Sequence, residues 1–378
     1  VTAAKLIEEF KRHGLGPFFE VPCSLLASVI TELMQDRDCE VMNPVNEAVA
    51  MGMAVGSYLA TGRIPVVLMQ NSGLCNALNA HSSLNVTYGI PLLYIVSWRG
   101  QPGTKDAPQH EFLGGKTEAL LQAFDIPYEV LTEDRCREQV KTMVDTLKES
   151  QRPGVLLLQR GTVEAGTKST EPANEGDLPS RADVVDAIMR ACDSKACCVA
   201  TNGYLAREAS HVSAEHGLAE TCPSFYMLGS MGHALPIGLG FAGQIKTGQK
   251  VVVIDGDGGC MMHMGAMASV GRGDRAADNL IHVVIDNGAY ASVGGQPTVS
   301  GDIDFTKIAS GCGYREIRSA VGIDTLRGML DELLDSQGPA FLHIPICDTG
   351  EPPKERVTSR YSCEEIKEMF VRLSCRTT

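Results

Sequence analysis

The chain has 378 residues, 44% of them hydrophobic, with 33 Lys and Arg against 46 Asp and Glu for a net charge of −13. The length allows two ordinary α/β domains with full cores. The acidic balance argues against nucleic acid or an anionic membrane as partner, and no apolar run reaches the length of a membrane span. The thirteen cysteines are odd in number and lack paired C-x-x-C spacing, a pattern expected of reduced, mostly buried thiols in a cytoplasmic protein.

In chain order, VTAAKLIEEFKRHG reads as an amphipathic helix and not a signal peptide. NPVNEAVAMGMAVGSYLATGR then places Glu47 at a helix start, where a carboxylate suits the dipole. The small residues Ala48, Ala50, Gly52, Ala54 and Gly56 offer that helix a face for close packing. Strands are expected at Val66 to Gln70, Leu92 to Ser97 and Val155 to Gln159, with helical patterns between them. The stretch GTVEAGTKSTEPANEGDLPS cannot bury a core and reads as a linker. Beyond it, strands are expected at Cys197 to Thr201, Val251 to Asp255, His282 to Asp286 and Phe341 to Ile346. A closing helix, Ser362 to Leu373, has Ser362 as its cap and Glu365 at the third helical position. The expected fold is α/β with two doubly wound parallel-sheet domains. They span residues 1–161 and 180–378, with the linker over 162–179.

Most of the chemistry lies between Val251 and Gln296. One β-branched run ends in Gly256-Asp257-Gly258 and a second, Ile281 to Ile285, ends in Asp286-Asn287. Asp257 and Asn287 are 30 positions apart, the length of one strand–helix–strand crossover. In a parallel sheet both emerge at the C-terminal edge, where open α/β sheets bind ligands. A carboxylate, an amide oxygen and nearby carbonyls suit a hard cation such as Mg2+, which usually keeps phosphate oxygens in its shell. A helix starting near Gly259 would aim free N–H groups at that phosphate. Alone, Gly-Asp-Gly after a strand is more often a turn; the Asn ending the next strand favours the cation.

These residues resemble the diphosphate motif of the thiamine diphosphate-dependent decarboxylase family, GDG followed by an asparagine pair whose first member is Asp286 here. The resemblance implies Asp257, Asn287 and the main-chain carbonyl of Ala289 as Mg2+ ligands. Gly256, Gly258 and Gly259 would shape the diphosphate site. The Asn-Glu context of Glu47 is similar to the family's catalytic glutamate, which bonds N1′ of the cofactor's aminopyrimidine. That role needs a carboxyl kept protonated by apolar surroundings; on its own residues Glu47 reads sooner as a dipole-favoured helix start, and the resemblance reverses that. FYMLGSMGHALPIGLGFA, Phe225 to Ala242, looks like the segment where a bulky side chain props the cofactor into its bent form. Met231 holds that place, with the Gly229 carbonyl accepting from the 4′-amino group; without the flanking glycines Met231 would read as core filler. ATNGYLARE, Ala200 to Glu208, looks like the loop at the diphosphate's far end, with Thr201, Asn202 and Tyr204 as candidate contacts. The fold implied is two domains of the thiamine diphosphate-binding type, the first for the aminopyrimidine and the second for the diphosphate. It also implies a homo-oligomer with active sites at subunit interfaces.

VPCSLL (Val21 to Leu26), Asn46 to Ala80, SWRGQPGTKDAPQH (Ser97 to His110) and FYMLGSMGHA narrow the resemblance. They look like the branch whose small anionic 2-oxo acid carries a phosphonate. The implied reaction converts 3-phosphonopyruvate to phosphonoacetaldehyde and CO2, in phosphonate biosynthesis. Sulfopyruvate, giving sulfoacetaldehyde, is the alternative substrate. A non-catalytic cofactor-binding relative is a further reading, against which intact Glu47, Asp257 and Asn287 argue. A phosphonate needs cationic or N–H donors, and Arg99 and Lys105 share one Gly-rich segment with His110. An arginine grips such a group bidentately; both charges read otherwise as solvated loop residues. Gln109-His110 stands where relatives carry paired histidines, so His110 is the candidate proton relay, against a structural histidine, and Gln109 a substrate contact. Ser24 takes the place of those relatives' aspartate and offers a hydroxyl to an anion. Asn71 and Ser72 are further donors, or turn residues after a strand. Ala291 stands where a polar residue is expected, while Gly294, Gly295 and Gln296 keep the family's loop.

Overall fold

Each β-branched run expected to be a strand is one in the structure, a computed structural model that describes residues 1–164, 178–245, 249–271, 277–347 and 353–374. The linker expected at 162–179 lies, from 165 to 177, outside the described residues. The chain divides into two units, Val1–Thr170 with Tyr290–Gln296, and Glu171–Ala289 with Pro297–Thr378.

The first unit holds β1 (Phe18–Glu20), β2 (Val41–Met42), β3 (Val66–Gln70), β4 (Leu93–Ser97), β5 (Tyr128–Val130) and β6 (Gly154–Leu158). They form one parallel sheet in the order β2-β1-β3-β4-β6-β5. The second holds β7 (Ala196–Ala200), β8 (Ser224–Tyr226), β9 (Lys250–Gly256), β10 (Leu280–Asp286), β11 (Glu316–Ser319) and β12 (Ala340–Pro345). Their order is β8-β7-β9-β10-β12-β11, again all parallel. Counted within each unit, both sheets read 2-1-3-4-6-5. The chain winds outward from the first strand to the second, then reverses to the third. The switch points, where doubly wound sheets bind ligands, therefore lie between β1 and β3 and between β7 and β9. The five strands that sequence patterning did not show, β1, β2, β5, β8 and β11, have two to four residues each. That is too short for any period to declare itself.

Strands β4, β6 and β7 are buried along their length, because helices cover both faces of a parallel sheet. The helix Ala3–Arg12 opens on Thr2, whose hydroxyl accepts from Lys5 N–H at 3.3 Å, and buries Leu6, Ile7 and Phe10. The helix Glu47–Thr61 opens on Asn46, whose Oδ1 accepts from Val49 N–H at 2.9 Å, and stops at Gly62 with φ 70°. Its small residues do not form one packed face. Ala50 and Ala54 are buried, whereas Ala48, Gly52 and Gly56 look outward with Val49, Met53 and Leu59. The reason is the helical period: positions two apart point 200° apart. At the far end, Glu365 N–H donates to Ser362 Oγ (3.1 Å) and Ser362 N–H to Glu365 Oε2 (2.7 Å), the expected reciprocal cap of the helix Cys363–Ser374.

One buried group breaks the pattern. Strand alternation puts Glu20 on the same face as Phe18, inside the first core. It is fully buried, neither carboxyl oxygen has a hydrogen-bond partner among the described residues, and burial pushes its carboxyl up to about 8. The twelve described cysteines are all free thiols, and most are buried. Among the described residues no helix is long and apolar enough to cross a membrane.

Candidate active site

In the first unit, the candidate residues leave the C-terminal ends of β1, β3 and β4 and the start of the helix after β2. Glu47 is buried in that helix's first turn. Its Oε2 accepts from Asn76 Nδ2 at 3.0 Å. Asn76 lies on the helix Asn71–Ala80, whose Gly73 faces the same carboxyl; a Cβ there would run into Glu47 Oε1. A polar hand and a gap of one methyl group thus set the carboxyl's position.

Arg99 follows β4 and is the centre of a second cluster. Its Nε and Nη2 donate to the two oxygens of Asp106, at 2.7 and 2.5 Å. Its Nη1 donates to Ser24 Oγ at 3.1 Å. The bidentate fork is therefore already engaged by Asp106, and only the edge shared with Ser24 remains for an anion. Burial alone raises the Asp106 carboxyl, but the Arg99 guanidinium and the N–H groups of Ala107 and Gly100 hold it well below the usual carboxylate range. Arg160 Nη2 stands 3.6 Å from Asp106 Oδ2, so two guanidiniums share one carboxylate. Asn71 secures the Arg99 backbone: its Nδ2 donates to Arg99 O (2.9 Å) and its Oδ1 accepts from Arg99 N–H (3.3 Å). Ser72 accepts from Gln70 Nε2 at 2.5 Å. Lys105 is exposed in the same loop and joins none of these bonds. Gln109 is exposed and His110 half-buried on the helix Pro108–Gly114.

In the second unit, the ends of β7, β9 and β10 and the loop after β8 carry the candidates. Thr201 is buried at the end of β7, its backbone N–H on Ile254 O at 2.9 Å. Among the described residues its hydroxyl has no partner, nor has the Asn202 amide oxygen. Tyr204 begins the helix Tyr204–Glu215, and its ring lies under Arg181 and Arg207, 5.0 and 5.3 Å from the guanidinium carbons. Met231 is half-buried and belongs to neither core, which sets aside core filler as its purpose. Beside it, Gly232 (φ 86°) comes so close to the helix Asp257–Met262 that a Cβ would meet His263 and the Gly259 carbonyl. That contact holds the Gly229–Met231 loop against the segment that follows β9.

Asp257 is buried at the start of that segment. Burial pushes its carboxyl up to about 7, against the Thr298 hydroxyl 2.5 Å from Oδ2. Gly259 lies where a Cβ would meet Asp255 Oδ1 (2.6 Å) and Thr201 Oγ1 (3.5 Å), which brings the β7 and β9 loops together at the switch point beside Gly256 and Gly258. Asn287 Oδ1 accepts from Ala289 N–H at 3.2 Å. Ala289 pairs with Pro297, and the flanking bonds, Thr298 N–H to Gly288 O and Tyr290 N–H to Gln296 O, leave the Ala289 carbonyl out. Asp286 is fully engaged. Its Oδ1 accepts from Ser300 Oγ (2.8 Å) and Gly288 N–H (3.0 Å), and its Oδ2 lies 3.0 Å from His343 Nε2.

Sequence reading missed Gly73, Asn76, Asp106, Arg160, Thr298, Ser300 and His343. Gly73 and Asn76 had a faint signal, three apart on one helical face. The others are ordinary polar residues that only the fold brings to the site.

Two parallel sheets of one strand order, the first with a buried Glu on the helix after β2 and the second with a buried Asp in the Gly-rich turn after β9, are the frame of a two-domain cofactor enzyme. Residues 2–120 match the family described as thiamine pyrophosphate enzyme, N-terminal TPP binding domain, and residues 203–344 its C-terminal TPP binding domain. The chain belongs to the thiamine pyrophosphate enzymes, as a decarboxylase of the 2-oxo acid type. It is similar to the phosphonopyruvate decarboxylases of Streptomyces hygroscopicus and Streptomyces viridochromogenes, each 32% identical over 362 residues, 92% of this chain and 88% of theirs. A sulfopyruvate decarboxylase of Methanosarcina acetivorans is 28% identical over 361 residues, 90% of both chains.

The residues present fit thiamine diphosphate. Among the described residues the Thr201 hydroxyl, a donor or acceptor, and the Asn202 amide oxygen, an acceptor, have no partner, Gly259 leaves no side chain in the cradle, and no cationic side chain faces the buried Asp257 carboxyl.

Proposed function

We propose that this decarboxylase converts 3-phosphonopyruvate to phosphonoacetaldehyde and CO2 with thiamine diphosphate and Mg2+, as a step in phosphonate biosynthesis. The observation that carries the substrate is the Arg99 cluster, in which two guanidiniums share one carboxylate and a serine hydroxyl stands on the open edge. Arg99, Arg160 and Asp106 sum to one positive charge, and Asn71 and Ser72 lie at the same sheet edge. A dianionic phosphonate gains more from that surplus than a monoanionic sulfonate does. The full-length similarity to phosphonopyruvate decarboxylases supports the same choice.

Thiamine diphosphate, when bound, supplies the electron sink for the carbon–carbon bond that breaks. The chain's own residues do the rest. Glu47, positioned by Asn76 and Gly73, would exchange a proton with the aminopyrimidine. Met231 and the Gly229 carbonyl would hold the aminopyrimidine end of the cofactor. Thr201, Asn202, Tyr204 and Gly256 to Gly259 hold the diphosphate; Asp257, Asn287 and the Ala289 carbonyl hold Mg2+. Ser24 and Arg99 bind the phosphonate, and His110, with Gln109 beside it, moves the proton that completes the aldehyde. Lys105 contributes charge at the approach. The active enzyme is a homo-oligomer, with the aminopyrimidine half of one copy meeting the diphosphate half of another. The outward face of the Glu47–Thr61 helix, with Val49, Met53 and Leu59 around Gly52 and Gly56, supports that assembly.

The test is to assay phosphonopyruvate and sulfopyruvate side by side, trapping the aldehyde, before and after chelation and dialysis. A preference for the phosphonate that vanishes with Mg2+ is expected. Preference for the sulfonate overturns the substrate, and full activity after chelation overturns the metal.

A further inference from the structure

Asp257 and Asp286 create an electrostatic problem for the diphosphate half. Strands β9 and β10 pair in register, Gly256 beside Ile285, and the next residue along the chain from each is an aspartate, Asp257 opening a helix and Asp286 ending β10. Two carboxylates thus emerge abreast at one sheet edge, both largely out of water, and only one of them is needed by a cation. Like charges so placed raise each other's cost of ionisation.

The segment 298–300 lies between them. Thr298 N–H donates to Gly288 O at 2.9 Å, which anchors the segment to the loop after β10. Each hydroxyl has one proton to give. Ser300 gives its proton to Asp286 Oδ1 at 2.8 Å, and Thr298 gives its proton to Asp257 Oδ2 at 2.5 Å. Thr298 Oγ1 in turn accepts the Ser300 backbone N–H at 3.3 Å. On the far side, His343 of β12 takes the other oxygen of Asp286 at 3.0 Å. Asp286 therefore has donors on both oxygens and is assigned to the protein, whereas among the described residues the side-chain donor to Asp257 is Thr298, at Oδ2.

We propose that Thr298, Ser300, Asp286 and His343 form a bracket that presents the Asp257 carboxylate to the divalent cation, and that Asp286 serves as its anchor and not as a ligand. The inference rests on the Mg2+ site proposed above. All four are positioning residues: they act on the cation through Asp257. Partners that orient a metal ligand are worth roughly 10- to 100-fold in metal affinity.

The experiment measures thiamine diphosphate retained by the full-length protein in equilibrium dialysis as Mg2+ is varied, with Mn2+ followed by its free-ion magnetic resonance signal as a second probe. Thr298→Val should raise the half-saturating Mg2+ about tenfold, whereas Thr298→Ser, which keeps the hydroxyl, should stay near the unmodified protein. Ser300→Ala and His343→Asn should shift it in the same direction. Adding His343→Asn to Thr298→Val should change little more, because both cut one chain of contacts. Thermal unfolding of each variant checks that the fold persists, and Ser300→Ala serves should His343→Asn not fold. An unchanged half-saturation in Thr298→Val and Ser300→Ala overturns the bracket. So does a loss of cofactor affinity that saturating Mg2+ does not correct. Retention of cofactor by the unmodified protein under chelation overturns the Mg2+ site itself, and the bracket with it.

Discussion

Glu47 is defined by two neighbours on the next helix, Asn76 on one oxygen and Gly73 against the other. A methyl group at position 73 has no room, so Gly73→Ala should displace the carboxyl and cost about 1–3 kcal/mol of stability as well as turnover. Asn76→Ala removes one hydrogen bond from a buried carboxyl and should lower kcat about tenfold with cofactor still bound. Glu47→Gln should also bind cofactor and slow hydrogen–deuterium exchange at its C2 strongly, by roughly 100-fold or more. An unchanged exchange rate in Glu47→Gln would rule out the assigned role. Glu20 makes a separate, pH-dependent contribution. Its folded pKa of about 8 lies above the ordinary 4.5, so the folded state binds the extra proton. The stability linked to Glu20 is fully present below pH 4.5, falls as pH rises, and is lost through pH 8, by a total on the order of 5 kcal/mol. Urea midpoints from pH 5 to 9 should fall for the natural chain and fall less for Glu20→Gln. Parallel profiles would show that Glu20 does not titrate in that range.

At the level of elements, the loop from Arg99 to the helix Pro108–Gly114 is organised by Asp106, which accepts from Arg99, Gly100 and Ala107 together. Asp106→Asn should loosen Arg99 from Ser24 and raise KM for the phosphonate substrate about tenfold, with a smaller effect on kcat. Equal loss in both would place Asp106 in the chemical step. The closing helix is held by its reciprocal cap, so Ser362→Ala should cost about 1 kcal/mol, read as a lower urea midpoint. That cap was legible in sequence because all its parts lie within four residues. The longer strands were legible for a similar reason: five or more β-branched and apolar positions carry their own pattern. The short strands β1, β2, β5, β8 and β11 were not, because pairing with a neighbour, not local propensity, makes them strands.

The whole molecule repeats one topology, 2-1-3-4-6-5, in two units with no shared sequence period, so each unit offers one switch-point site. If the active enzyme joins unlike halves from two copies, then mixing Glu47→Gln with Asp257→Ala protein under conditions of subunit exchange should restore part of the activity. A monomer by sedimentation that keeps full activity would refute the assembly. Sequence by itself determined the α/β class, the longer strands and the cofactor chemistry. Those are carried by residues close together in the chain or by motifs of fixed spacing: Gly256-Asp257-Gly258, Asn287 thirty positions on, and Asn46-Glu47. Only the tertiary structure decided which polar residues hold those groups in place. Asn76 reaches Glu47 across 29 positions, Thr298 reaches Asp257 across 41, and His343 reaches Asp286 across 57. No local pattern encodes such pairs, because a hydrogen bond is specified by where two groups lie in space and not by the residues between them.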